Sequence, residues 1–141
     1  MKWAPALGAL AALAISAQAK ADDPEVAARY TPGMQRCMDA PGGDTTQGMV
    51  ECYAAERERQ DARLNSIYQS VIRRLTPSQA AALRQSERAW IAYRDANCAA
   101  KLDVLEWGTM SRLTAADCLV SMTIQRTIEL ENWPPEGEDR D

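Results

Sequence analysis

Leu64, Ile67, Tyr68, Val71, Ile72 and Leu75 recur at intervals of three and four, which gathers them on one face of a helix. The opposite face carries Arg57, Arg59, Arg63 and Arg73. No proline interrupts the chain from Asp44 to Leu75, and no glycine after Gly48. The pattern predicts a long helix that starts after the Pro41-Gly42-Gly43 break, with Asp44, Thr45 and Thr46 as N-cap candidates. Thr76-Pro77-Ser78-Gln79 then reads as a second start: threonine as N-cap, proline in the first turn, and glutamine at the reciprocal capping position. A turn of this kind between two long helices implies an antiparallel hairpin. The second helix should run to about Glu106, with Ala80, Leu83, Glu87, Trp90, Ile91, Arg94 and Cys98 along its inner face. Trp107-Gly108-Thr109 ends it. A third helix is expected from Thr114, with Asp117 in its first turn and Leu119, Met122, Thr123, Arg126 and Leu130 as its stripe. Pro134-Pro135 stops it, and the acidic remainder reads as a disordered tail over 134–141.

Ahead of the first long helix, Asp23-Pro24-Glu25 opens a short helical segment that Thr31-Pro32-Gly33 is expected to stop. Residues 1–19 read as a signal peptide rather than as part of the fold. Lys2 is its positive end, Leu7 to Ile15 its apolar run, and Ala17-Gln18-Ala19 its cleavage pattern, with the cut after Ala19. The apolar run is short of the roughly 20 residues that a membrane-spanning helix needs. The chain is thus divided into a leader, an N-terminal segment over 20–44, a helical domain over 45–133 and the tail. Its product is expected in the periplasm or outside the cell, with no membrane anchor after cleavage.

Export gives the four cysteines their meaning. Cys37, Cys52, Cys98 and Cys118 are even in number and bound for an oxidising compartment, and their spacing lacks the short clips of zinc sites. Two disulfides are the reading. Folding the hairpin about Thr76 brings Cys52 and Cys98 to one end, to which Cys118 returns and which Cys37 can reach. Three pairings stay open, and the local one (Cys37 with Cys52, Cys98 with Cys118) is as reasonable as a cross-helix one. The fold class is therefore all-α: a small antiparallel three-helix bundle, plus a short N-terminal helix, stapled by two disulfides.

Composition narrows the chemistry. The 141-residue chain contains no histidine, which removes Ser-His and Cys-His dyads, histidine-based metal sites and the usual general base near neutrality. No cofactor or metal pattern is present. The formal charge is −4, and loss of Lys2 with the leader makes it −5, which argues against nucleic acid as a partner. Arg94 and Arg126 fall on otherwise apolar faces at one level of the hairpin, where an unpaired guanidinium would be costly. Asp61 and Glu87 are the natural carboxylates to neutralise them. These four residues make either an acid–base site or a polar network that sets helix register, and the second is the reading taken because no nucleophile with its base lies near.

One ordered series of residues is familiar. It runs through Cys52, Asp61-x-x-Leu64-Asn65-x-x-Tyr68, Leu75, Leu83-Arg84 and Arg88-Ala89-Trp90-Ile91-x-Tyr93-Arg94-Asp95-x-x-Cys98, then Gly108-Thr109, Cys118 and Thr123-x-x-Arg126-x-x-x-Leu130. It resembles the LprI-like lysozyme-inhibitor N-terminal domain family of small exported helical bacterial proteins, over about Met34 to Trp133. Glu87 stands where that family usually has glutamine. Trp107-Gly108-Thr109 replaces a Gly-Gly-Ser-like loop, a departure that bears on target choice rather than fold.

The resemblance implies an inhibitor of lysozyme, a protein that binds its target and carries no catalytic chemistry. A net negative charge suits a basic lysozyme or another basic cell-wall hydrolase, because it steers encounter. Trp107, Thr109 and Arg112 are the candidate contacts, since an aromatic and an arginine on a loop suit the centre of an interface. Trp107 packing over the helix ends near the disulfides is the plainer alternative. Two other functions remain in view: an envelope interaction module with a different partner, and an enzyme using two of the twenty carboxylates as acid and base.

Overall fold

The structure, a computed structural model, describes residues 23–104 and 108–133. The leader, Trp107 and the acidic tail lie outside the described residues, and so do the sequence expectations made for them. Five helices make up the described chain: α1 (Pro24–Ala27), α2 (Pro32–Asp39), α3 (Thr46–Ile72), α4 (Pro77–Val104) and α5 (Thr109–Glu131). The fold is all-helical with two disulfides, and it contains one helix more than the expected three plus one.

The additional helix is α2. Thr31-Pro32-Gly33 starts a helix instead of stopping one: Thr31 is the extended N-cap residue and Pro32 occupies the first turn, where its missing N–H costs nothing. The same Thr-Pro signal starts α4 at Thr76, and there the capping box forms in full. The Thr76 N–H donates to Gln79 Oε1 at 2.9 Å, and the Gln79 N–H to Thr76 Oγ1 at 3.3 Å. Between α2 and α3 the chain turns at Gly42, whose φ of 82° is costly for any side chain. Thr45, one of the expected candidates, caps α3 by accepting the Gly48 N–H at 3.0 Å.

A second correction concerns α5, which begins at Thr109 and not at Thr114. Thr114 sits inside the helix, and its hydroxyl donates back to the Met110 carbonyl at 2.9 Å. Helix propagation needs no cap there, because nothing between Thr109 and Thr114 breaks it.

Cys37 is bonded to Cys52 and Cys98 to Cys118, so the local pairing is the one adopted. The first bond ties α2 to the start of α3, and the second ties the end of α4 to α5.

Helix α5 packs against both α3 and α4, whereas α3 and α4 approach each other less closely than either approaches α5. The core forms along α5 in two clusters. Leu64, Val71, Leu83 and Leu130 make one, flanked by Tyr68, Trp90 and Trp133; Val26, Val120 and Ile124 make the other, flanked by Tyr30 and Tyr53. Full burial of a side chain such as Leu130 or Val71 is worth about 1.5–3 kcal/mol. Ile91, placed on the inner face of α4 by periodicity, is 41% exposed instead. The stripe of α5 is shifted from the expected one: Thr123, Arg126 and Leu130 are buried with Val120, Ile124 and Thr127, whereas Leu119 and Met122 are half-buried.

Candidate functional site: a groove and three buried polar clusters

Because α5 holds α3 and α4 apart, a groove of about 480 Å³ runs between them. Helix α3 lines it with Asp61, Leu64, Asn65 and Tyr68, which share a face by their spacing. Helix α4 supplies Arg84, Glu87, Arg88, Trp90, Ile91 and Arg94. All of these except Glu87 belong to the residue series that carries the family resemblance.

Three of the four residues of the expected polar network line it, and Arg126 reaches Glu87 from α5, so that the four form two pairs around one ring. Arg94, nearly buried, donates to Asp61 Oδ1 at 3.1 Å, Asp95 Oδ1 at 2.9 Å and Thr123 Oγ1 at 3.1 Å. Arg126 donates to Glu87 Oε2 at 2.9 Å and Glu129 Oε2 at 3.0 Å. Trp90 sits between the pairs, with the Arg94 guanidinium 5.1 Å and that of Arg126 5.9 Å from its ring centroid. Both carboxylates that face the groove are thus held by arginines, an arrangement suited to fixing side chains and not to moving protons.

Two further clusters were not singled out from the sequence. Glu56, wholly buried in α3, accepts from the Thr31 N–H at 2.9 Å, the Thr31 hydroxyl at 2.6 Å, Gln60 Nε2 at 2.7 Å and Arg59 Nε at 2.9 Å. Burial pushes the Glu56 carboxyl up, but the hydrogen bonds from Thr31, Gln60 and Arg59 outweigh it and hold the group below the usual carboxylate range. Gln60 in turn donates to the Arg29 carbonyl at 2.9 Å, so the stretch between α1 and α2 is bonded to α3. In the second cluster the Tyr30 hydroxyl donates to Asp117 Oδ1 at 2.6 Å. Burial raises the pKa of both Tyr30 and Tyr53, and the Asp117 carboxylate raises them further. Asp117 therefore serves as an acceptor for α1's trailing segment, in place of the expected role in a first turn.

A third link joins Arg29 and Arg63 to Glu131, at 2.9 and 3.0 Å, and anchors the end of α5. Of the candidate contact residues, Thr109 and Arg112 are exposed on the opening turn of α5. Arg112 is on a helix and not on the loop where it was expected. Met110 beside them is 53% exposed. Among the described residues, no three metal-ligating side chains converge.

The family described as lysozyme inhibitor LprI matches this chain over residues 37–130. That span runs from the first cysteine to the last core leucine of α5. An uncharacterized protein of Rhizobium meliloti (strain 1021) is 30% identical over an alignment of 101 residues that covers 62% of this chain and 73% of that protein. No solved structure matches.

Proposed function

Since the chain belongs to the lysozyme inhibitor LprI family, we propose that it is an exported protein that binds a basic lysozyme and blocks it without catalytic chemistry of its own. The observation that carries this reading is the extent of the family match. It covers both disulfides, the Trp90 cluster and nearly all of the three long helices. Export is supported by the leader pattern over residues 1–19, and no described helix is long and apolar enough to cross a membrane.

The opening of α5 is the proposed contact surface. Thr109, Met110 and Arg112 are exposed there, on the helix that the Cys98–Cys118 bond ties to α4 further along. A helix tied covalently to its neighbour loses little conformational entropy on docking, which favours affinity. Trp107, two residues before Thr109 in sequence, supplies the aromatic that interface centres favour.

The test is surface-based binding of the mature chain to a basic animal-type lysozyme over a range of salt. A complex whose association rate falls steeply with salt, and whose dissociation rate rises on Trp107→Ala or Arg112→Ala, is the expected outcome. Binding that ignores both variants moves the contact elsewhere on the surface. Absence of any binding at low salt leaves the alternative, an envelope module with a different partner.

A further inference from the structure

The groove between α3 and α4 has a charge balance that its structural roles leave unexplained. Asp61, Glu87 and Arg94, which line it, are all paired. Arg84 and Arg88, on the same rim and one turn apart, are exposed and have neither a hydrogen bond nor an ion pair among the described residues. Asn65 on the α3 side is likewise exposed with its amide unbonded. Below these polar groups the walls are apolar: Leu64 and Tyr68 from α3, Trp90 and Ile91 from α4.

The surroundings reinforce the sign. From Ala62 to Ser86 the sequence contains Arg63, Arg73, Arg74 and Arg84 and not one aspartate or glutamate. On a chain of net charge −4, the end that carries the Thr76 turn is therefore locally positive. A volume of about 480 Å³ lies inside the range of roughly 300–1,000 Å³ typical of small-molecule sites.

We propose that this groove binds a small amphipathic anion, with its apolar body between α3 and α4 and its acidic headgroup on Arg84 and Arg88. Charge complementarity selects the headgroup. The two guanidinium groups stem from positions about 6 Å apart along α4, close enough for both to meet one carboxylate or phosphate, with the Asn65 amide as a third donor. The apolar walls select the body, because a bare inorganic anion leaves Leu64, Tyr68, Trp90 and Ile91 wet. Asp61 to Tyr68 spans about 10 Å of helix, which suits a body of medium length. The occupant is a free, dispersed molecule, since the donors open into a cleft and not onto a flat face. This site is separate from the α5 surface and does not rest on the lysozyme reading; a basic protein would be repelled by Arg84 and Arg88.

The experiment titrates the full chain with decanoate well below its micelle threshold, by calorimetry and by amide and indole NMR shifts. Decyltrimethylammonium (the same body with the opposite charge), inorganic phosphate (the charge without the body) and anionic phospholipid vesicles are the comparisons. The expected result is saturable one-to-one binding of decanoate, with shifts at the Trp90 indole and the Asn65 amide and little response to the other three probes. Replacing both cations, Arg84→Gln with Arg88→Gln, should weaken decanoate binding by about tenfold or more while circular dichroism is unchanged, because neither side chain has a partner to lose. Ile91→Glu, at another exposed groove position, should weaken it as well and provides an independent variant. Equal binding of the cationic amphiphile, binding to vesicles but not to dispersed decanoate, or undiminished affinity in a folded variant would each overturn the proposal.

Discussion

Glu56 accepts both the backbone N–H and the hydroxyl of Thr31, at 2.9 and 2.6 Å, across 25 residues of sequence. The hydroxyl oxygen in turn accepts from Arg59 Nε at 3.0 Å, and α2 begins without a side-chain cap bond of its own. The stretch ahead of α3 is held to that helix by this contact, by the Gln60 bond to the Arg29 carbonyl and by the Cys37–Cys52 bond.

Glu56→Ala should therefore destabilise the protein by about 3 kcal/mol, from buried donors left without an acceptor. The pH dependence follows from the direction of its pKa. The fold favours the ionised form, so its contribution is complete above the unfolded-chain value of 4.5 and is lost as pH falls through the lower folded value. Urea midpoints measured from pH 7 down to pH 3 should drop below pH 4.5 in the wild type, and the drop should be shallower in Glu56→Gln.

The two arginines beside Trp90, Arg94 and Arg126, should differ in what they hold. Arg126→Ala strands Glu87, whose side chain is 12% exposed, and removal of one partner from such a pair costs about 3–5 kcal/mol. Arg94→Ala releases Asp61 and Asp95, which are 38% and 56% exposed and regain water. Denaturant unfolding should accordingly rank Arg126→Ala as the more damaging change, with Arg94→Ala intermediate. Equal losses would show that the ring of Trp90, and not the carboxylates, is what both arginines support.

Digestion of the unreduced protein should yield one linked peptide pair containing Cys37 and Cys52 and another containing Cys98 and Cys118. Thiol labelling after denaturation without reductant should give no signal. Each bond closes a short loop, and opening either should cost about 3 kcal/mol. Loss of the second is expected to loosen the α5 opening more than the Glu56 cluster, and hydrogen exchange distinguishes the two regions.

The long helices were legible because their apolar residues keep one period and their caps use few residue types. Leu64 to Leu75 and the Thr76 box are the clearest cases. Arg94 and Arg126 were legible as charges interrupting apolar faces. Helix α2 was not, because threonine and proline can end one segment or begin the next, and only the distant Glu56 decides which. Glu56 and Gln60 lie in a run with Arg57, Glu58 and Arg59 that reads as solvated surface; their burial depends on the chain before α2 folding over them. The groove is likewise a tertiary effect. Hairpin geometry brings Asp61 level with Arg94, but the gap between the helices is set by how α5 wedges against both.

The function proposed for this chain is restraint of a lysozyme. Its most direct test follows the clearing of a cell-wall suspension by a basic animal-type lysozyme at low salt, with increasing amounts of the mature, fully oxidised protein. Clearing should slow in proportion to the protein added, approach a stop near equimolar amounts, and recover as salt is raised. Clearing at an unchanged rate with the protein in large excess, for animal-type, goose-type and bacterial lysozymes alike, would contradict it.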